Sequence, residues 1–596
     1  MRTLLAGFVL AWQWQNPSPT GNQLNAVRFL DASTAVAVGE AGAILRSTDA
    51  GASWQTVASG AEKMLRGVWF TGARDGVVVG DGGLILRTTD GGARWKAQAG
   101  GTSSALYGVA FVDASSGIAV GEKGTVLRTR DGGVTWSAAA SPATGTLRAV
   151  SFPAQGTAVA VGLGGVVLRS TDGGASWTSQ SHGVDLFAVS FIDENGVAVG
   201  GESGYLFDTQ VILRTTDGGA TWTRQSTGSK TRLYGVSFTD AKTGTDAKTG
   251  VVVGEMGKIW RTTDGGATWK GLDAKTSNWL SAVSFAGAQV GIAAGEQGKI
   301  FRTTDGGATW SSPTKGPTPL LRAVFFSDER TGTAVGVNGT ILRTTDGGAR
   351  WTRQESGVKQ ALSGVFFTHE KTGWVTGNNG KILHTTDGGA KWISQNSTNN
   401  RDNLRGVFFS SATTGVIVGG DGIILRTTNS GAAWTRQWSG VRDLLFSVFL
   451  SSAGQGVAVG GGGTILRTMD GGQTWSLAPS PTTETLQSVH FRDASHGAAV
   501  GSGGVLILTG DGGRSWRLGA SGVKQHLNAV MFGDGMSGTA VGFYGTVLKT
   551  LDGGASWQAE PSGARNHLYG VAGRGRDVAT AVGEGGVILG AVTGGE

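Results

Sequence analysis

Tryptophan recurs at positions 54, 95, 136, 177, 222, 269, 310, 351, 392, 434, 475, 516 and 557. Nine of the twelve intervals are 41 residues and the others are 42, 45 and 47. No single core accommodates such a chain, because cores stop growing near roughly 250 to 300 residues and this one has 596. A fixed period of this length is instead that of one four-stranded propeller blade, a unit that buries its faces only against its neighbours. Gly makes up 105 residues, a share that could indicate low complexity, but 20 Trp and 22 Phe are too many apolar rings for a disordered chain. The glycines therefore serve turns.

Each unit repeats the same phrases, clearest over residues 321–354: LRAVFF, then TGTAVG, then GTILRTT, then a DGGARW turn into WTRQ. Alternating β-branched and aromatic residues, cut at short intervals by Gly and Asp, predict antiparallel meanders. Four strands in 41 residues leave no room for helices. The two long intervals have visible causes. TDAKTG at 239–244 is repeated at 245–250, and the usual GExG turn between the second and third strands becomes GESGYLFDTQ at 201–210. Loops absorb such insertions at small entropic cost, but three adjacent apolar residues on a hairpin tip, Tyr205, Leu206 and Phe207, suggest a contact surface.

The ends complete the count. Trp12-Gln-Trp-Gln15 resembles a fourth strand, while LYGVAG, ATAVGEGG and VILGAV supply three strands with no following box. A strand from the start of the chain would complete the last blade and remove an exposed edge. The sequence thus predicts an all-β β-propeller of about fourteen four-stranded blades with Asp-box turns. Rings of 4 to 8 blades are usual, which favours two seven-bladed propellers, 12–310 and 311–596, with a proline-marked seam at Pro313, Pro317 and Pro319. The alternative is a single closed ring of fourteen blades over 12–596. Residues 1–11, with Arg2, an apolar run from Leu4 to Leu10 and Val9-x-Ala11, read as a short signal peptide. An exported protein (periplasmic, lumenal or secreted) is expected, or a cytoplasmic one if the leader is not a signal.

The turn between the third and fourth strands carries [ST]-x-D-x-G-x-[ST]-W, the Asp-box, with its acid at Asp49, Asp90, Asp131, Asp172, Asp217, Asp264, Asp305, Asp346, Asp387, Asp470, Asp511 and Asp552. The carboxylate can accept N–H bonds across a tight turn, Gly supplies positive φ, and Trp packs between blades. Asn429 and Ala433 replace Asp and Ser/Thr in the tenth box, while Arg94, Arg350 and Lys391 take the hydroxyl position elsewhere. Such recurrence and tolerance mark scaffold.

This motif resembles the bacterial neuraminidase repeat of sialidases, sortilin-type receptors, xyloglucan-processing glycoside hydrolases and photosystem II assembly and stability factors. The phrase VGExGxILRTTDGGxTW at a 41-residue period is most similar to the last family, over essentially the whole chain. That resemblance implies a seven-bladed lumenal or periplasmic propeller, here duplicated, that assists reaction-centre assembly through a basic surface. It implies a non-enzymatic protein-binding scaffold or assembly factor, the alternative being an exported carbohydrate-binding or glycoside-processing Asp-box propeller.

The charge is +7 and cysteine is absent, which excludes disulfides and thiolate chemistry and weakly favours acidic partners. Arg recurs three residues before the box acid, at 46, 87, 128, 169, 214, 261, 302, 343, 426 and 467, and is expected to stack on Trp or pair with Glu. Charge outside the template is more informative, because loops on a rigid scaffold carry binding. Lys230, Arg232, Arg401, Arg405 and Arg442, with Trp279, Trp438 and the Tyr205 hairpin, form the candidate partner-binding face, assigned to loops between the fourth strand and the next first strand. Protein partners, acidic or membrane-protein segments among them, are expected, with carbohydrate as a further option. No dense basic run indicates nucleic acid, and no apolar stretch reaches membrane-spanning length. Glu62, Asp185, Asp273, Glu355, Asp402 and Asp443 show no pairing in the sequence, and the seven His lack metal-ligand spacing. No catalytic residue, cofactor or metal site is therefore predicted, and the chain is expected not to be an enzyme.

Overall fold

A computed structural model describes residues 11–16, 20–202, 209–225, 230–239, 248–312, 320–396, 402–451, 453–533, 536–573 and 578–592. The strands form fourteen antiparallel sheets, each a meander of sequence-adjacent strands except the last, making an all-β propeller. Thirteen sheets have four strands. The sheet of Leu280–Phe285, Gly291–Gly295 and Ile300–Thr303 has three, with a single bridge from Arg302 to Ser311 in the fourth place. Among the described residues the only helical pieces are three-residue 3-10 turns such as Glu40–Gly42, and no helix is long and apolar enough to cross a membrane.

The chain divides into two compact units, an N-terminal one of residues 19–315 and a C-terminal one of residues 1–18 and 316–596. Each holds seven sheets. The strand Ala11–Asn16 pairs with Ile588–Val592, so the first strand of the chain completes the last sheet of the C-terminal unit. In the N-terminal unit the seventh sheet packs on the first, with Ile292, Ala294 and Ile300 sharing a core with Leu24, Val27 and Leu45. In the C-terminal unit Val582 and Ile588 pack likewise with Leu321, Val324 and Leu342.

Second strands such as Ala35–Gly39 and Gly76–Gly80 are buried at every residue, being covered on both faces by neighbouring blades. Each ends in Gly for a local reason. A Cβ on Gly39 would stand 2.0 Å from the carbonyl oxygen of Gln23, so no larger residue fits where the strand meets the chain entering the blade.

The Asp-box has the chemistry its residues imply. The Asp49 carboxylate accepts the Ser47 hydroxyl at 2.8 Å, the Ser53 N–H at 2.8 Å and the Ser53 hydroxyl at 2.6 Å. Ser47 Oγ in turn accepts the Gly51 N–H at 2.8 Å, with Gly51 at φ +83°. The box Trp lies edge-on to the blade's own Phe, as for Trp95 on Phe70 at 6.0 Å and 74°. Asn429 keeps the bonds from Thr427 Oγ1 and the Ala433 N–H, both at 2.9 Å, but Ala433 has no hydroxyl to give the third.

The recurrent Arg neither stacks on the box Trp nor pairs with Glu. Its Nε donates to a carbonyl in the box turn of the next blade: Arg46 to Gly91 at 2.7 Å, Arg87 to Gly132 at 3.0 Å, Arg169 to Gly218 at 3.0 Å, Arg214 to Gly265 at 3.1 Å and Arg261 to Gly306 at 2.7 Å. Arg302 closes the series on Ala50 of the first blade at 2.7 Å. In the C-terminal unit Arg426 and Arg467 repeat the bond, to Gly471 at 2.8 Å and Gly512 at 3.1 Å. Arg343 instead reaches the Glu370 carbonyl, and His384 stacks on the fully buried Trp374 at 4.8 Å. The template Glu acts within its own blade. Its carboxylate accepts the N–H just before the first strand, as Glu40 does from Gln23 at 3.2 Å and Glu296 from Trp279 at 2.9 Å.

R302Q is expected to lower the unfolding free energy by about 1.5–3 kcal/mol, the worth of a charge-assisted bond, and to do so through the first-to-seventh-blade contact. Denaturant unfolding, with hydrogen exchange read at residues 24–57 and 280–303, checks this. A second expectation concerns acid. Bonds from Thr135 hold Asp131 down to about 2, and bonds from Ser515 and Ser556 do the same for Asp511 and Asp552. A carboxylate with a depressed folded pKa stabilises above its unfolded value and loses that contribution as pH falls through the folded one. Stability should therefore drop between about pH 4 and pH 2, and D511N together with D552N should flatten that slope in denaturant midpoints measured across the range.

Candidate functional site

The first strand of every blade begins Leu-x-small-Val, as in Leu24-Asn25-Ala26-Val27. The small residue is Ala, Gly or Ser in all fourteen, because first strands of adjacent blades nearly touch. A Cβ on Gly108 would lie 2.9 Å from Ala149 Cα, and one on Gly570 would lie 3.0 Å from Ala323 Cα. In all fourteen first strands the pairing register shifts between that Leu and the small residue, leaving the intervening residue bulged. Bulges re-aim side chains, and this one turns residue x inward. The result in each unit is a set of seven half-buried side chains, one per blade, at one level.

In the N-terminal unit they are Asn25, Arg66, Tyr107, Arg148, Phe187, Tyr234 and Ser281. Tyr107 lies between two guanidiniums, with Arg66 at 4.4 Å and Arg148 at 4.3 Å from its centroid, and its hydroxyl donates to Glu122 at 3.3 Å. Arg66 also pairs with Asp81. Burial pushes the Arg148 pKa down, and its Nε is buried without a hydrogen-bond partner. Next comes an aromatic run. Phe187 is 5.3 Å from Tyr234, which stacks on Trp279 at 5.7 Å and 27° and donates to Glu255 at 2.9 Å. Burial and then Glu255 push the Tyr234 pKa up.

In the C-terminal unit they are Arg322, Ser363, Arg405, Phe446, Gln487, Asn528 and Tyr569, and they line a cavity of about 490 Å³. Arg322 and Arg405 both donate to Ser363 Oγ at 3.3 Å. Burial, and then the Arg322 charge, push the Arg405 pKa down. Three residues further along the first strand, Phe325, Phe366, Phe408, Phe449 and His490 make a ring-to-ring ladder at 4.8, 4.9, 4.9 and 5.4 Å.

The candidate face expected from the sequence is thus redistributed. Arg405, assigned to a loop, lies within the strand Leu404–Phe409 on the cavity wall, as Arg322 does within Leu321–Phe326, and Arg66 has the same place in the strand Leu65–Phe70 of the other unit. The boundary was misplaced because the bulge lets the strand begin one residue before the charge. Arg232 and Trp279 do meet, around Tyr234 and Glu255, with Arg232 Nε 3.8 Å from Glu255. Lys230 and Arg442 are exposed, and Trp438 stands 86% exposed. Tyr205, Leu206, Phe207 and Arg401 lie outside the described residues. Sequence reasoning missed Tyr107, Arg148, Phe187, Tyr234, Gln487, Asn528 and Tyr569, although variation at x between an invariant Leu and a small residue was a visible signal. Among the described residues no group of His, Asp and Glu is arranged to hold a metal ion.

A family model described as Photosynthesis system II assembly factor YCF48 matches residues 8–99, 94–186, 228–317 and 350–440, more than half of the chain. Comparison with curated proteins gives no match. Among solved structures, a GH74 xyloglucanase from Xanthomonas campestris is 14% identical with a TM-score of 0.64, over 98% of this chain and 99% of that one. An ancestral GH74 enzyme is 12% identical with a TM-score of 0.71, over the same shares. A structure of YCF48 bound to D1 peptide is 23% identical with a TM-score of 0.41, over 47% of this chain and 93% of that one.

The full-length likeness is one of fold, and it corrects the expectation that the chain is not an enzyme. Propellers of this build carry glycoside hydrolysis in those proteins. The expectation rested on unpaired acids in the linear sequence, yet catalytic acids brought together by folding leave no linear motif.

Proposed function

Since the chain belongs to the photosynthesis system II assembly factor YCF48 family, we propose that it binds segments of partner proteins at the axial side chains of its N-terminal unit. The observation that carries this reading is the bulged position: the scaffold repeats around it while its side chain changes from blade to blade. A repeated residue holds blades together, whereas a non-repeated one on a rigid support has the character of a recognition surface. The basic and aromatic content of that unit, Arg66, Tyr107, Arg148 and Tyr234, suits acidic or mixed peptide segments.

A second reading has its own support. The fold likeness to GH74 enzymes spans nearly the whole chain, further than the family model reaches. The N-terminal unit also presents Trp279, 41% exposed and stacked on Tyr234, beside Glu255 and Glu296. Flat aromatic faces bordered by polar groups are common in glycan sites.

Partner capture by the full chain from an envelope extract tests the first reading, with R148Q and Y234A as probes. Both variants should fold and should lose most of the captured protein. Capture that the folded variants leave unchanged would remove the proposal. For the second reading, release of reducing sugar from xyloglucan or a mixed β-glucan is the assay. Activity abolished by W279A supports it, and no hydrolysis together with no glycan binding removes it.

A further inference from the structure

We propose that the cavity of the C-terminal unit is a binding site for an acidic sugar, a uronate, with its carboxylate on Arg322 and Arg405 and its ring against Tyr569 and Phe543. The proposal is independent of partner-protein capture and concerns this unit alone. A volume of about 490 Å³ falls in the range of small-ligand sites.

The charge is what demands a ligand. Two guanidiniums share one neutral acceptor, Ser363 Oγ, at 3.3 Å each. Neither makes an ion pair with a carboxylate among the described residues, and Arg405 Nε is buried without a hydrogen-bond partner. Half-buried like charges held together are unfavourable until an anion joins them. A planar carboxylate fits between two guanidinium forks. The N-terminal unit shows the contrast, because there Arg66 has Asp81 and the Tyr107 ring as partners.

The rest of the wall selects the body that carries the carboxylate. Asn528 donates its amide to the Leu568 carbonyl at 2.7 Å, which leaves its oxygen as an acceptor, and Gln487 makes no side-chain hydrogen bond among the described residues. Such amides match hydroxyl groups, which both donate and accept, and are wasted on an alkyl chain. Beside Asn528 stands an aromatic group that departs from the blade template. The turn that reads Glu40-Ala-Gly42 in the first blade reads Phe543-Tyr-Gly545 here, with Tyr544 held at φ +56°. Phe543 stacks on His567 at 4.2 Å and meets Tyr569 edge-on at 6.3 Å. Phe543 and Tyr569 both line the cavity and offer faces to the C–H side of a sugar ring.

Isothermal titration of the full chain with galacturonate and glucuronate oligosaccharides, alongside neutral oligosaccharides of equal length and a short peptide with a free C-terminal carboxylate, tests the proposal. Uronates should bind and neutral sugars should not. Affinity should fall at least about tenfold in R405Q and in R322Q, as when one partner of a buried charge pair is removed. F543S installs the residue that the blade at Ser502 uses in the same turn, so it should keep the fold and weaken uronate binding. Circular dichroism and thermal unfolding confirm folding of each variant. Failure of the folded protein to bind uronates, binding that ignores R405Q, or tighter binding of the peptide with the same Arg dependence would each overturn the assignment to a sugar acid.

Discussion

Six of the seven blades of the N-terminal unit are tied to the next through one carbonyl oxygen, the acceptor that the box turn presents to the Arg of the preceding blade. The carbonyl is in place because the box Asp, with two or more bonds from its own turn, fixes the backbone on either side of it. Two motifs that look separate in the sequence, the acid and the Arg three residues before it, are therefore two ends of one inter-blade contact. The contact is local in every blade and long-range in its sum. Arg302 to Ala50 spans 252 residues with the same geometry that its sequence neighbours use.

The C-terminal unit solves the same packing problem with different chemistry. His384, Leu508 and Lys549 interrupt the Arg series, and at His384 ring stacking stands in place of the bond. Trp374 stacks between His384 and Phe409, at 4.8 and 3.9 Å, and the ladder from Phe325 to His490 links five successive first strands. His490, at the end of that ladder, is half-buried and accepts the Phe532 N–H on Nδ1 at 3.2 Å, and desolvation by its surroundings pushes its pKa down to about 4. Apolar stacking is non-directional, so it tolerates the change of residue that a carbonyl staple does not. The N-terminal unit has the directional contact in six blades, and the C-terminal unit has it at Arg426 and Arg467.

The blade, its four strands and its box were legible because a 41-residue period repeats both the hydrophobic alternation and the turn residues. The Arg staple was half legible. Its recurrence marked it as structural, but its acceptor is a backbone carbonyl 45 residues away, and a backbone atom has no signature in sequence. The axial residues were misjudged for a related reason. A charged residue beside Leu, as at Arg66 or Arg405, reads as the end of a loop until the bulge is known, and the bulge is a property of strand pairing. The candidate face suffered most, since Arg405 moved from a rim to a cavity wall while Trp279 acquired a partner, Tyr234, that no motif had singled out.

A repeat scaffold of this kind separates two demands that compete in most folds. Stability is assigned to positions where blades must agree: the box, the Gly that ends each second strand, and the small residue where first strands meet. Agreement there fixes the backbone so closely that the bulged residue between Leu and the small residue is free to differ without cost to its neighbours. Seven such residues at one level give a surface whose composition is set one blade at a time. In the N-terminal unit that freedom produced a sandwich in which Tyr107 and Asp81 take up the charge of Arg66, with Arg148 against the same Tyr107 ring. In the C-terminal unit it produced two arginines around one serine, neither in an ion pair with an acid among the described residues. Since burying a charge without its counter-charge is unfavourable, a pair so placed points to a counter-charge that comes from outside the chain.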